Sequence, residues 1–268
     1  MRILFLGDVV GNSGCSKILN NLLSQKELNK IDFVIVNGEN AAEAGVGLTK
    51  EICEDFFRCG VDVITTGNHV WDQKDIMKFI DNENRLLRPK NLFEPAPGKG
   101  FEVFQNEKNI KIGVLNLMGN VFMKKCEDVF QFANKFVSEN KLKKNFDFLV
   151  VDFHGEITSE KMAIGHFFDG KASLVIGTHT HIPTSDAVIL EKGTAYQTDA
   201  GMCGVYNSVI GMNKNNSINR FLKKESVKHY PAVGDATLCG SIVECNIETG
   251  LAKDINQFIF GSSLKNSD

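Results

Sequence analysis

Short apolar runs rich in β-formers recur along this chain, and five of them end on one or two residues able to bind a metal. The run 2–7 leads into Asp8, 33–38 into Glu39 and Asn40, 61–67 into Asn68 and His69, 148–153 into His154, and 174–178 into His179 and His181. Between and after the first three runs, helices are predicted over about 14–29, 48–59 and 72–83, the last with Ile76, Phe79 and Ile80 on one face. This βαβαβ rhythm predicts parallel strands joined by right-handed crossovers. The stretch 84–100, with Pro89, Pro95, Pro97, Gly98 and Gly100, reads as irregular. A hairpin is predicted from 101–105 and 110–117 about the polar turn Asn106-Glu107-Lys108-Asn109. A helix over about 126–143 follows, then strand, helix and strand at 147–153, 158–168 and 172–177.

From 186 onward the pattern is mostly β, with 187–190 facing 194–198 and 240–246 facing 251–260. The segment 204–236 has mixed signals and many Asn and Lys residues. Long irregular segments in compact domains are usually functional, so 84–100 and 204–236 are expected at the mouth of a site or at a subunit contact. The tail 262–268 reads as frayed. With no composition break and no repeat, 1–268 is expected to form a single domain.

Ligands in open α/β sheets gather outside the carboxyl ends of the strands. Five such ends side by side would bring two carboxylates (Asp8, Glu39), two amides (Asn40, Asn68) and four imidazoles (His69, His154, His179, His181) to one edge. That set has oxygen and nitrogen donors enough for two divalent ions. In Gly177-Thr178-His179-Thr180-His181, residues two apart point to one side of an extended backbone. Asp8 is also placed to cap the following helix, as is Asn68 for its own. Asp152 and Glu156, flanking His154, are candidates for orienting it. His166 and His229 lie outside the strand-end pattern and read as structural or surface residues.

Composition narrows the choice of partner. A net charge of -3 gives no general preference for nucleic acid or anionic membrane, although bound metal would reverse the sign locally. The seven cysteines are scattered, without a Cys-x-x-Cys pair, so a disulfide framework is not expected. Reduced thiols and an opening apolar run cut short by Asp8 point to a cytoplasmic protein with no signal peptide or membrane span.

The order Gly-Asp, Gly-Glu-Asn, Gly-Asn-His, His, Gly-Thr-His-Thr-His resembles the calcineurin-like metallophosphoesterases. Gly7-Asp8-Val9-Val10-Gly11, Asn37-Gly38-Glu39-Asn40-Ala41 and Gly67-Asn68-His69-Val70-Trp71-Asp72 look like their YmdB-like subgroup. The likeness continues through Thr198-Asp199-Ala200-Gly201-Met202 and Ser208-Val209-Ile210-Gly211 to Glu248-Thr249-Gly250-Leu251-Ala252, almost the whole chain. It implies an α/β fold, a four-layer α/β/β/α sandwich of two mixed sheets. It also implies a binuclear site with two divalent metal ions, iron or manganese, and hydrolysis of 2′,3′-cyclic nucleotides such as 2′,3′-cyclic AMP by a metal-bridging hydroxide. By motif, Asp8, Glu39, Asn40 and His181 would serve one ion; Glu39, Asn68, His154 and His179 would serve the other; His69 would be the catalytic residue at the phosphate or leaving group. The wider superfamily opens Asp-x-His where this chain has Asp8-Val9-Val10, and the resemblance to the subgroup implies that Asn40 takes the place that Val10 cannot fill. Cys203, Val205 and Asn207 also depart from the subgroup pattern.

The expected partner is thus a small phosphodiester, with no membrane, in a homo-oligomeric enzyme. Two alternatives use the same residues: a phosphomonoesterase or phosphoprotein phosphatase, and an RNA-associated regulatory protein whose metal site is structural.

Overall fold

The computed structural model describes residues 1–224 and 228–264; part of the expected tail and three positions of the segment 204–236 lie outside the described residues. The chain forms two mixed β-sheets. The first runs β13 (Ala252–Phe260), β12 (Leu238–Cys245), β1 (Arg2–Leu6), β3 (Phe33–Asn37), β4 (Val63–Thr65). The second runs β5 (Phe101–Gln105), β6 (Lys111–Met118), β7 (Phe148–His154), β8 (Leu174–Thr178), β10 (Ala195–Gln197), β9 (Val188–Ile189). A small parallel ribbon pairs β2 (Asp8–Val9) with β11 (Met202–Cys203). Strands β1, β3 and β4 are mutually parallel, as are β6, β7, β8 and β10; the antiparallel pairs lie toward the edges.

Side chains alternate between the two faces of a strand. In β1, Ile3 and Phe5 join a core with Val114, Phe148, Val150 and Ile176 of the other sheet, while Leu4 and Leu6 face the opposite way. Those outward residues meet α1 (Gly11–Asn29) and α2 (Lys50–Arg58) through Ile18, Leu22 and Phe56. In β7, Leu149, Val151 and Phe153 pack against Ala133 and Phe136 of α3 (Val129–Glu139) and Ile164 and Phe168 of α4 (Thr158–Phe168). A fifth helix, α5 (Lys214–Phe221), lies in the segment expected to be irregular.

This corrects the expectation that five ligand-bearing strands lie side by side. Strands β1, β3 and β4 belong to one sheet, β7 and β8 to the other. A strand buried on both faces reads as a continuous apolar run whichever sheet it joins. Two helix boundaries also differ. The Asp128 carboxylate accepts from Gln131 N at 2.8 Å, so α3 starts at Val129 rather than 126. The helix expected over 72–83 is instead two 3-10 turns, Lys74–Lys78 and Ile80–Asn82. Ile76, Phe79 and Ile80 are still buried. Gln73 and Asp81 there bond outward, to Val46 O at 2.8 Å and from Gly98 N at 2.6 Å, and the tighter turn suits so short a connector.

The irregular stretch after it links the two sheets. Leu86 bridges to Ile64 of β4, Leu87 bridges to Lys99, and Gly100 O accepts from Asn116 N of β6 at 3.0 Å. Arg88, only 1% exposed, organises the loop: its guanidinium donates to the carbonyls of Pro89, Lys90, Ala96 and Pro97 and pairs with Glu94 at 2.9 Å. No helix among the described residues is long and apolar enough to cross a membrane.

Removing the Arg88 guanidinium strands several carbonyls at once. Arg88→Ala is expected to destabilise the protein by roughly 3 kcal/mol in chemical denaturation. A loss below about 1 kcal/mol would show that water replaces the guanidinium without penalty.

Candidate metal centre

Each candidate ligand is placed by the end of a strand. Asp8 follows β1 and is fully buried; its Oδ2 accepts from His179 N at 3.0 Å. Its Oδ1 has His181 Nε2 at 3.8 Å and His154 Nδ1 at 3.9 Å. Glu39, beyond β3, sets Oε1 3.0 Å from His154 Nε2 and accepts from His69 N at 3.1 Å through Oε2. Asn40 lies beside them, bridged through its backbone to Val10, with Nδ2 donating to Gly45 O at 3.0 Å. Asn68 Oδ1, beyond β4, is 2.9 Å from His154 Nε2, and His179 Nδ1 is 3.0 Å from the same nitrogen.

His154 Nε2 therefore faces a carboxylate oxygen, an amide oxygen and an imidazole nitrogen at hydrogen-bond distance. One N–H can serve only one of these well. The Asp8 and Asn40 Oδ1 atoms are buried and, among the described residues, have no hydrogen-bond partner. Glu39, His154 and His179 each offer a ligand atom, all within 4.8 Å of one another. Buried lone pairs in this excess call for a cation, and mixed O/N donors suit a divalent first-row metal. The cluster also explains Gly67: a Cβ there would lie 2.3 Å from His154 Nε2 and 2.4 Å from Glu39 Oε2.

The electrostatics agree. Burial alone would depress His154, but the Glu39 carboxylate, helped by Asp8 and Asp152, raises it to about 9. Burial would raise Glu39, yet His154 holds it down to about 2. Burial pushes Asp8 up and drives His179 down to about 3, the latter with the charge of His154 beside it.

A supporting layer fixes the ligands. Buried Asp152 accepts from Thr65 Oγ1 at 2.5 Å, Thr178 Oγ1 at 2.7 Å and Asn37 Nδ2 at 3.0 Å. Burial still raises it to about 6. Thr178 Oγ1 meets His154 Nδ1 at 3.0 Å, so Asp152 steers that ring through Thr178. Glu156 does not orient His154; its Oε2 is 3.0 Å from His179 Nε2.

His179 and His181 converge by a route the sequence did not suggest. They are not extended: φ is 98° at His179 and 67° at His181. Such backbone is costly for non-glycine residues and persists where surroundings over-determine it. Here Asp199 does so, accepting from Thr180 N at 3.1 Å, Thr180 Oγ1 at 2.7 Å and Gly201 N at 2.8 Å. Its counter-charge is Lys161 Nζ at 2.6 Å, and both side chains are buried. Sequence reasoning missed Lys161, because a lysine on an amphipathic helix normally reads as solvated.

His69 stands at the rim, its side chain 31% exposed, with Nδ1 2.6 Å from Asp72 Oδ2. Lys124 Nζ pairs with Asp72 at 3.7 Å and donates to Asn68 O. One irregular segment reaches this region, and the other holds a loop that does. Asn91 Nδ2 donates to Met118 O and Glu127 O, holding the ends of the loop that carries Lys124, and Ile210 O is 2.8 Å from His181 Nδ1. His166 is exposed, and His229 contacts Ser217 Oγ at 3.2 Å.

The family model described as YmdB-like protein matches residues 4–258. The chain belongs to the YmdB-like family. It is 42% identical over 259 residues to the 2′,3′-cyclic-nucleotide 2′-phosphodiesterase of Bacillus subtilis (strain 168), covering 97% of each chain. A solved hypothetical protein from Thermus thermophilus superposes with a TM-score of 0.90 at 37% identity, over 97% of this chain and 99% of that one. A novel phosphatase from Mycoplasma pneumoniae gives a TM-score of 0.90 at 36% identity, over 97% and 93%.

For this YmdB-like chain, two outcomes follow from the centre. A metal bound at His154 would require the neutral ring, and Glu39 keeps that ring protonated up to about 9. Manganese binding at neutral pH should therefore release protons, and its apparent affinity should climb as pH rises toward that value. Calorimetry in buffers of different ionisation enthalpy measures the release; heats independent of buffer would refute it. Lys161→Met should destabilise the fold by about 3–5 kcal/mol by leaving Asp199 buried and unpaired, and Lys161→Met combined with Asp199→Asn should recover part of that. Thermal melts of the three proteins decide it; a double variant no more stable than the single one would contradict the ion-pair account.

Proposed function

We propose that this YmdB-like protein is a binuclear metal-dependent phosphodiesterase whose substrates are 2′,3′-cyclic nucleotides. The observation that carries the reading is the crowding of His154 Nε2 by Glu39, Asn68 and His179 beside the orphaned oxygens of Asp8 and Asn40. Family membership and the name of the Bacillus subtilis relative support phosphoric ester hydrolysis as the activity. The three apolar cores are consistent with helix, sheet, sheet and helix stacked in four layers, and we read 1–268 as one domain.

Asp8, Glu39, Asn40 and His181 would hold one ion, and Glu39, Asn68, His154 and His179 the other, with Glu39 shared. The donor set suits iron or manganese. When bound, such a pair supplies a nucleophilic hydroxide at neutral pH and offsets charge on the phosphoryl oxygens. The remaining work falls to the chain. Asp152 and Thr178 keep the His154 ring in register, and the Asp199–Lys161 pair holds the His179-Thr180-His181 turn. With Nδ1 committed to Asp72, His69 has Nε2 available to give a proton to the departing ribose oxygen. Lys124 keeps Asp72 and the Asn68 backbone together behind it.

The test is metal content by elemental analysis, paired with turnover of 2′,3′-cyclic AMP. Two ions per chain and metal-dependent hydrolysis are expected; metal without turnover would favour a structural site. His69→Ala should keep both ions and lose about 10²–10⁴-fold in rate, the usual worth of one general acid. The loss should shrink for p-nitrophenyl esters, whose leaving group needs little protonation. Loss of metal in this variant would make His69 a ligand, and an unchanged rate on the cyclic nucleotide would remove its role.

A further inference from the structure

A cavity of about 470 Å³ is lined by Val209, Ile210, Ser217, Arg220, Phe221 and His229. Its size is in the usual range for small-ligand sites. One lining residue also touches a candidate ligand. Ile210 presents its carbonyl to His181 Nδ1 at 2.8 Å while also lining the cavity. The turn that does this is held in place: Val209 bridges to Met212, and Ser208 Oγ accepts from Gly211 N at 2.8 Å. Ile210 sits at φ 48°, an unfavourable conformation for a β-branched residue. Met212 packs on Val10 and Met202, close in sequence to Asp8. Strain maintained by so many contacts marks a functional position.

The lining is also unusual. Phe221, at the end of α5, is 84% exposed, and Ile210 is 50% exposed. An aromatic ring next to an arginine is the combination that receives a planar base while attracting an anion. Ser217 and His229, in mutual contact at 3.2 Å, add polar groups able to meet a base edge.

We propose that this cavity is the base subsite of the enzyme. Phe221 stacks on the nucleobase, Arg220 attracts the anionic nucleotide, and Ile210 ties the subsite to the ligand His181. The inference rests on the phosphodiesterase reading above and deepens it, assigning recognition of the base to named residues. Specificity for the base then lies in α5 and the turn before it, separate from the residues of the centre.

The test compares 2′,3′-cyclic AMP with methyl riboside 2′,3′-cyclic phosphate, which has the same reacting group and no base. Phe221→Ala should raise KM for the nucleotide about tenfold or more and leave kcat nearly unchanged, in line with the loss of one stacked base. It should leave both constants for the base-free substrate as they are, and Phe221→Trp should restore the low KM. Equal losses on both substrates, or none on either, would overturn the proposal. If the wild-type protein hydrolyses neither substrate, the phosphodiesterase reading falls, and calorimetry with adenosine 3′-monophosphate still decides the subsite. Binding lost in Phe221→Ala supports it; equal binding in both proteins overturns it.

Discussion

The backbone from 198 to 201 is wedged between the two sheets, and the centre depends on how closely it fits. Added Cβ atoms at Gly7 and Gly177 would lie 1.9 Å from Gly201 O and 1.8 Å from Thr198 O. One glycine ends β1 in the first sheet; the other lies in β8 of the second. Asp8 N donates to Gly201 O at 3.2 Å, and Ala200 N donates to Gly177 O at 2.9 Å. This short segment thereby stitches the sheets together where their parallel strands end. From the same segment Asp199 reaches the His179-Thr180-His181 turn, so the wedge and the ligand geometry are one construction.

That construction concentrates groups that repel one another or compete for protons. Asp8 and Glu39 are buried together with His154 and His179, and the apoprotein must share protons among them. In a low-dielectric interior this is costly unless a cation is present. This cluster of buried ionisable groups is therefore a local weakness of the fold, tolerated because the sheets around it are anchored by large apolar cores. The buried Lys161 brings an ammonium up to this region from a helix, and it offsets Asp199 rather than Asp8 or Glu39.

Around the centre, the irregular segments supply walls. Arg88 and Asn91 give the loop after β4 an internal hydrogen-bond scaffold, and Asn91 passes that order to the ends of the loop bearing Lys124. The turn at Ile210, which precedes helix α5, meets His181. Long loops carry function when a rigid scaffold positions them, and here the loop bearing Lys124 and the turn at Ile210 touch candidate ligands, at Asn68 O and His181 Nδ1.

The sequence alone determined a good deal. Continuous apolar runs placed β1, β3, β4, β7 and β8, and the residues following each run were the candidate ligands that the fold brings together, because strand ends in α/β sheets are where side chains are free to converge. The motifs carried the family. Three things were decided only in three dimensions. Which sheet a doubly buried strand joins depends on its neighbours, so the division of the ligand strands between two sheets was not legible. The left-handed turn at His179 and His181 is imposed by Asp199 and Lys161, which are distant in sequence and carry no local signal. The 3-10 turns at 74–82 replace a helix because tertiary hydrogen bonds from Gln73 to Val46 O and from Gly98 N to Asp81 outweigh a weak local propensity. Local pattern fixes which faces are buried and where strands stop; the partners that bend a backbone or share a charge are set by contacts between segments far apart in the chain.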